Sequence, residues 1–151
     1  MDLHWRWARF EELDLDALYD ALALRQRVFN SEQNCAYVDA DGLDRRAWHL
    51  LGRDGQGRLV AYLRIVDPGL KYPEPSIGRV VTDPSVRGSG AGRLLMAEGV
   101  AGCDRLWPGQ AVRISAQAHL QRYYQHVGFE AVGDTYLEDG IPHIEMLRRA
   151  P

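Results

Sequence analysis

The sequence predicts an α/β domain in which a mixed, mainly antiparallel, twisted sheet is flanked by helices, and three observations carry that prediction. Two apolar runs, Ala47–Arg53 and Leu59–Val66, flank Asp54-Gly55-Gln56-Gly57, the strongest hairpin signal in the chain. Residues 77–96 pass from a β-branched strand through a glycine-rich turn into the opening of a helix. Beyond them strand and helix signals alternate, giving the order β-α-loop-β-β-β-α-β-α-β-β, in which most strands pair as antiparallel neighbours. A length of 151 residues suits one domain spanning 1–151, large enough to bury a real core.

Each element has a local reason. Residues 3–10 interleave polar and aromatic side chains, with Trp5 and Trp7 on one side, and predict a first strand. Asp14 is an N-cap for a helix to about Phe29 that buries the stripe Leu15, Leu18, Tyr19, Leu22 and Gln26, with acids early and Arg25 and Arg27 late. Residues 30–46 are polar and glycine-interrupted, a loop or short helix near the surface. Asp39-x-Asp41-Gly42 hints at a calcium loop, but the other ligands of that motif are missing, so no metal is expected. Residues 67–75 hold three prolines and form a loop before the central strand. The helix after the glycine turn should end near residues 102–104, before Trp107-Pro108-Gly109. Residues 111–116 supply a strand, 119–127 a helix closed by Gly128, 129–137 a strand, 138–142 a turn and 143–147 a final strand.

Composition narrows the function. The net charge of −3 gives no reason to expect nucleic acid. Its distribution says more: residues 11–44 carry nine acids against two arginines, which suits a cation, while Arg79, Arg87 and Arg93 surround the glycine turn with only Asp83 opposing, which suits phosphate. Two cysteines, Cys35 and Cys103, form no Cys-x-x-Cys pair, and Cys35 has no histidine and acid in motif context to make it a nucleophile. With no basic or apolar leader and no apolar run of bilayer length, a cytoplasmic protein without membrane contact is expected.

The glycine turn is an anion site by construction. Backbone N–H groups at a helix start lack intrahelical acceptors, and glycines let that backbone come close to a ligand. A nucleoside-triphosphate loop needs Lys-Ser/Thr after its last glycine, whereas Gly92 is followed by Arg93-Leu94. The dinucleotide fingerprint needs a glycine where Arg93 stands. What remains is Arg-x-x-Gly-x-Gly at Arg87, Gly90 and Gly92, which resembles the pyrophosphate loop of the GCN5-related N-acetyltransferases; the plain alternative is a turn that only connects strand to helix. Residues 116–129 match the second half of that superfamily's pattern, with Tyr124 four residues before Gly128-Phe129. Ala116 to Gln121, Tyr136 to Ile144 and the segment from Leu24 to Tyr37 resemble the ElaA family of bacterial acetyltransferases, and the likeness covers residues 22–146.

That resemblance implies roles. The amides of Arg87, Gly88, Ser89, Gly90, Ala91 and Gly92 would hold the pyrophosphate of acetyl-coenzyme A, the backbone of Val80, Val81 and Thr82 would pair with pantetheine, and Gln117 would make one further contact. An amide near Val81 would polarise the thioester carbonyl, and Tyr124 would donate to the leaving sulfur unless it merely packs beside Tyr123. Among His49, His119, His143, Glu138 and Glu145 as general base, His143 and Glu145 are preferred because they follow the turn at Pro142. Arg25 and Arg27 with Glu32 and Gln33, and His49, would line the acceptor side, although His49 could equally be a satisfied core histidine and Arg25 and Arg27 a helix C-terminus stabilised by its dipole. The implied activity is direct acetyl transfer to a primary amine of a small molecule or peptide. The alternatives are a non-catalytic acyl-coenzyme A binding module and a generic nucleotide binder. Exposed strand edges could pair two copies into a homodimer.

Overall fold

The computed structural model describes residues 2–32 and 38–151. Strands β1 (His4–Arg9), β2 (Ala47–Arg53), β3 (Leu59–Val66) and β4 (Ser76–Thr82) form one antiparallel sheet in that order. The predicted hairpin joins β2 and β3: the Asp54 carboxylate accepts from the Gln56 and Arg58 amides at 2.9 and 3.0 Å, and Gly57 takes a φ of 81°. All of β3 is buried, because helices cover both faces of this sheet.

Helix α1 (Leu15–Gln26) is capped as expected, the Asp14 side chain accepting from the Ala17 amide at 2.7 Å. Its buried face differs from the predicted stripe. Ala17, Ala21, Leu24 and Arg25 face the sheet, whereas Leu15 and Tyr19 are 86% and 75% exposed. The two alanines let the helix lie close over Leu51, Tyr62 and Val81, which a leucine and tyrosine stripe would hold off. The chain leaves α1 through a π-helical turn, Arg27–Glu32.

Helix α2 (Ala91–Leu106) covers the opposite face through Leu95, Met96, Gly99, Gly102 and Cys103. Close approach explains two of its glycines. A Cβ at Gly102 would stand 2.2 Å from the Trp7 ring, and one at Gly99 would stand 2.8 Å from a Leu63 methyl.

The second sheet has β8 (Ile141–Arg148) paired antiparallel with β5 (Val112–Gln117), β6 (Glu130–Ala131) and β7 (Tyr136–Glu138). The single strand expected over residues 129–137 is two short ones, broken by a bend around Gly133 that leaves residues 132–135 exposed. Helix α3 (Gln121–Gln125) follows a 3-10 turn, and Gly128, at φ 97°, ends it while the Phe129 amide bonds to the Tyr124 carbonyl.

One irregularity in β4 escaped the sequence. Tyr62 pairs with Val81 and Arg64 with Gly78, so Leu63 faces both Arg79 and Val80 across a β-bulge. Arg79 takes φ 50°, a left-handed conformation costing roughly 1–3 kcal/mol for a residue with a Cβ. Its guanidinium does not border the glycine turn, as its position in the sequence suggested, but pairs with Asp39 at 2.8 Å. Asp39 also binds Arg25 at 2.8 Å, Asp44 binds Arg25 and Arg64, and Asp41 binds Arg64 at 2.6 Å. The acids with calcium-loop spacing therefore serve as partners of buried arginines. Burial alone would raise the Asp41 and Asp44 pKa values, but the bonds from Arg64 and Arg25 hold both below the ordinary carboxylate range.

Candidate active site

The site lies where the two sheets meet. At their N-terminal ends β4 and β5 lie side by side, the Arg113 amide donating to the Pro75 carbonyl at 3.1 Å. The two strands belong to separate sheets, and a cleft opens between them. One half is lined by Val80, Val81, Thr82, Gly92, Leu120, Tyr123 and Tyr124. The other is lined by Ile77, Gly78, Arg79, Ile114, Ser115 and Gln117 from the strands, with Phe29, Lys71, Glu138, Asp139, Ile141 and His143 from the segments around them. Val80, Leu120 and Tyr124 border both halves, so the cleft is continuous from the glycine turn to His143.

The glycine turn folds as an anion site would. Gly88 and Gly90 take φ 80° and 93°, and a Cβ on either would meet no atom within 4 Å, so backbone conformation and an open approach account for both. Gly90 is the left-handed N-cap of α2. The amides of Gly90, Ala91 and Gly92 sit at the start of α2, where no intrahelical acceptor exists, and none donates to a backbone carbonyl elsewhere among the described residues. Secondary bonds brace the turn: Arg87 Nη2 donates to the Thr82 carbonyl at 3.2 Å, Ser89 Oγ donates to the Val86 carbonyl, and the Tyr123 hydroxyl donates to the Gly92 carbonyl at 2.8 Å. These residues fit a diphosphate held by main-chain donors.

Tyr124 is 9% exposed and packs edge-on against both Tyr123 and Phe129. Packing and cleft position coexist, and burial raises its pKa, which keeps the hydroxyl protonated. Gln117 and His143 are register partners across β5 and β8. His143 Nδ1 lies 2.7 Å from the Ile141 carbonyl, which can only accept, so Nδ1 carries the proton. Its Nε2 is 3.4 Å from Glu138. Ser115 hydrogen-bonds to the Tyr136 hydroxyl and lies 3.4 Å from Glu138, which ties the carboxylate to the cleft wall.

Other candidates fall elsewhere. Glu145 pairs with Arg113 at 3.2 Å. His49 is 1% exposed, with Nδ1 2.7 Å from the Tyr62 hydroxyl and Nε2 2.9 Å from the Asp44 carbonyl, and burial lowers its pKa; it is a satisfied core histidine, away from the cleft. Arg27 pairs with Asp83 at 3.1 Å on the surface. Arg25 is a buried ion-pair member rather than a helix-end charge on the acceptor side. Gln33 and Cys35 lie outside the described residues. Cys103 is buried, its thiol pushed up to about 12, which removes it as a nucleophile. Phe29, Lys71, Ser115, Tyr136 and Asp139 were missed as site residues: Phe29, Tyr136 and Asp139 lie in segments that carried the family resemblance but were given no role there, and only the meeting of four separate segments brings the five together.

Residues 25–149 match the family described as acetyltransferase (GNAT) domain. The chain belongs to the GNAT acetyltransferase family. It is 48% identical over 151 residues to a UPF0039 protein of Synechocystis, covering 100% of this chain and 98% of that one. Protein ElaA of Escherichia coli is 42% identical over 148 residues, covering 97% of this chain and 96% of the relative. A crystal structure of an acyl-CoA N-acyltransferase from Pseudomonas aeruginosa superposes with a TM-score of 0.92 at 45% identity, covering 97% of this chain and 99% of that one. ElaA-type GNAT membership, the α/β fold and an acyl-transfer activity therefore stand together. Among the described residues no helix is long and apolar enough to cross a membrane.

Proposed function

We propose that the protein moves an acetyl group from acetyl-coenzyme A directly to a primary amine of a small molecule or peptide. The observation that carries this reading is that the half of the cleft bordered by Gly92 of the glycine turn and the half bordered by His143 share Val80, Leu120 and Tyr124. When bound, acetyl-coenzyme A supplies a thioester carbon open to attack. The amides of Gly88, Gly90, Ala91 and Gly92, with the positive end of α2, hold its diphosphate, whereas those of Arg87 and Ser89 already donate to the Pro84 and Val86 carbonyls and only shape the turn; the Val80–Thr82 edge and Gln117 orient the pantetheine arm. A main-chain amide near Val81 donates to the thioester oxygen as negative charge builds.

The proton traffic has two ends. Tyr124, kept protonated by burial, donates to the departing sulfur. We place the base at His143 rather than Glu145, because the Ile141 carbonyl fixes the proton on Nδ1 and leaves Nε2 to accept one from the amine. Glu138 lies 3.4 Å from Nε2, while Glu145 is occupied by Arg113. The reading includes a cytoplasmic setting and leaves room for a homodimer through an open sheet edge.

Incubation with acetyl-coenzyme A and a panel of primary amines, following free thiol, tests the proposal. Acceptor-dependent thiol release is expected. Tight binding without release from any amine would instead establish a non-catalytic binding module, and ATP competing as well as coenzyme A would establish a generic nucleotide site.

A further inference from the structure

The bulge in β4 carries a contradiction that the surrounding charges resolve. A bulge with a left-handed first residue ordinarily uses glycine there, and Gly78 stands one position too early: the positive φ falls on Arg79. The far end of the Arg79 side chain is gripped on three sides. Nη2 donates to the Asp39 carbonyl at 3.1 Å and to Asp41 Oδ2 at 3.4 Å, and Nε lies 2.8 Å from Asp39 Oδ1 as an ion pair without hydrogen-bond alignment. The grip is itself fixed. Asp39 Oδ2 is bound by Arg25, which is 1% exposed, and Asp41 is bound by Arg64, which is 2% exposed. A guanidinium anchored to a buried, already paired cradle cannot follow the backbone into an ordinary extended conformation.

We propose that Asp39 and Asp41 are positioning residues. By anchoring Arg79 they hold the bulge in its left-handed form, and so set the main chain of Val80, which borders both halves of the cleft, where a neighbouring amide can reach a thioester oxygen. The inference rests on the acyl-transfer reading above and adds the device that prepares it.

Three variants separate this role from simple structural support. Arg79→Ala removes the anchor and keeps the Cβ that disfavours positive φ; Arg79→Gly removes the anchor and the penalty together. Asp39→Asn weakens the anchor and also the pair that Asp39 makes with Arg25, so its turnover is taken per folded protein, with a melting temperature measured alongside. Turnover in Arg79→Ala and in Asp39→Asn should fall about tenfold to a hundredfold, with acetyl-coenzyme A affinity changed less than about twofold. Arg79→Gly should recover at least about tenfold of the Arg79→Ala loss, and adding Asp39→Asn to it should cost nothing further.

Infrared difference spectra of carbonyl-labelled acetyl-coenzyme A, bound without acceptor, give a second readout: the carbonyl band should move to lower frequency in the wild type and in Arg79→Gly, and not in Arg79→Ala. Equal losses for the alanine and glycine variants would overturn the proposal, as would a carbonyl band unmoved in a wild type that binds the donor. A wild type that binds no acetyl-coenzyme A would refute the proposed function itself.

Discussion

At the scale of single residues, the proposed function divides the work between Tyr124, for chemistry, and Gly90, for binding. Tyr124→Phe removes a hydroxyl that matters only as charge develops on sulfur, so turnover should fall about a hundredfold with little change in donor affinity. Steady-state kinetics alongside direct titration of acetyl-coenzyme A will show this, and an unchanged rate would remove the acid role. Gly90→Val does the opposite. It places a branched side chain at φ 93° over the amides of α2, so donor affinity should drop at least about tenfold, because both the strain and the lost approach act before chemistry. The placement of Tyr124 and of the glycine turn on one cleft was legible because each sits in a short motif whose spacing is local. His143 was legible only as one of several histidines; its orientation depends on the Ile141 carbonyl and on Glu138 across the β7–β8 turn.

At the scale of elements, small residues decide which faces meet. Gly102→Ala would gain about 1 kcal/mol of helix propensity, but its Cβ would fall 2.2 Å from the Trp7 ring, and overpacking of that kind costs about 1–3 kcal/mol. An indole held under α2 cannot turn aside, so overpacking should win and thermal unfolding should shift down by about 2–4 °C. Gly99→Ala meets the end of a Leu63 side chain, which can rotate, and should be closer to neutral. A melting temperature for Gly102→Ala at or above wild type would show that α2 rides more freely on β1 than the geometry allows. The same logic accounts for the misassigned face of α1. Hydrophobic periodicity favoured Leu15 and Tyr19, while the sheet surface below accepts only the shallow relief of Ala17 and Ala21.

At the scale of the whole molecule, the buried charges should appear in the pH dependence of stability. The His49 pKa is lowered on folding, so the unfolded chain binds that proton first, and its contribution to stability declines as pH falls from about 6.5 toward the depressed folded value. Asp41 and Asp44 act in a lower window. Their pKa values are depressed, so their contribution is full above the ordinary carboxylate value near 3.9 and is lost as pH falls below it. Chemical denaturation from pH 8 downward should therefore show one descending step that begins near pH 6.5 and a second decline that sets in only below about pH 4, and His49→Gln should remove the upper one only. A single step at low pH in the wild type would mean that His49 titrates as it does in water.

The sequence by itself determined the hairpin around Gly55, the Asp14 cap, the glycine turn with its helix and the Tyr124 motif, because each depends on dihedral preferences and hydrogen bonds within a few residues. Tertiary structure alone decided the bulge at Arg79, the union of Arg25, Asp39, Asp41, Asp44, Arg64 and Arg79, the burial of His49 and the parting of β4 from β5. Those features join residues far apart in the chain, and a buried charge is tolerated only where a partner arrives from another segment, which local sequence does not encode.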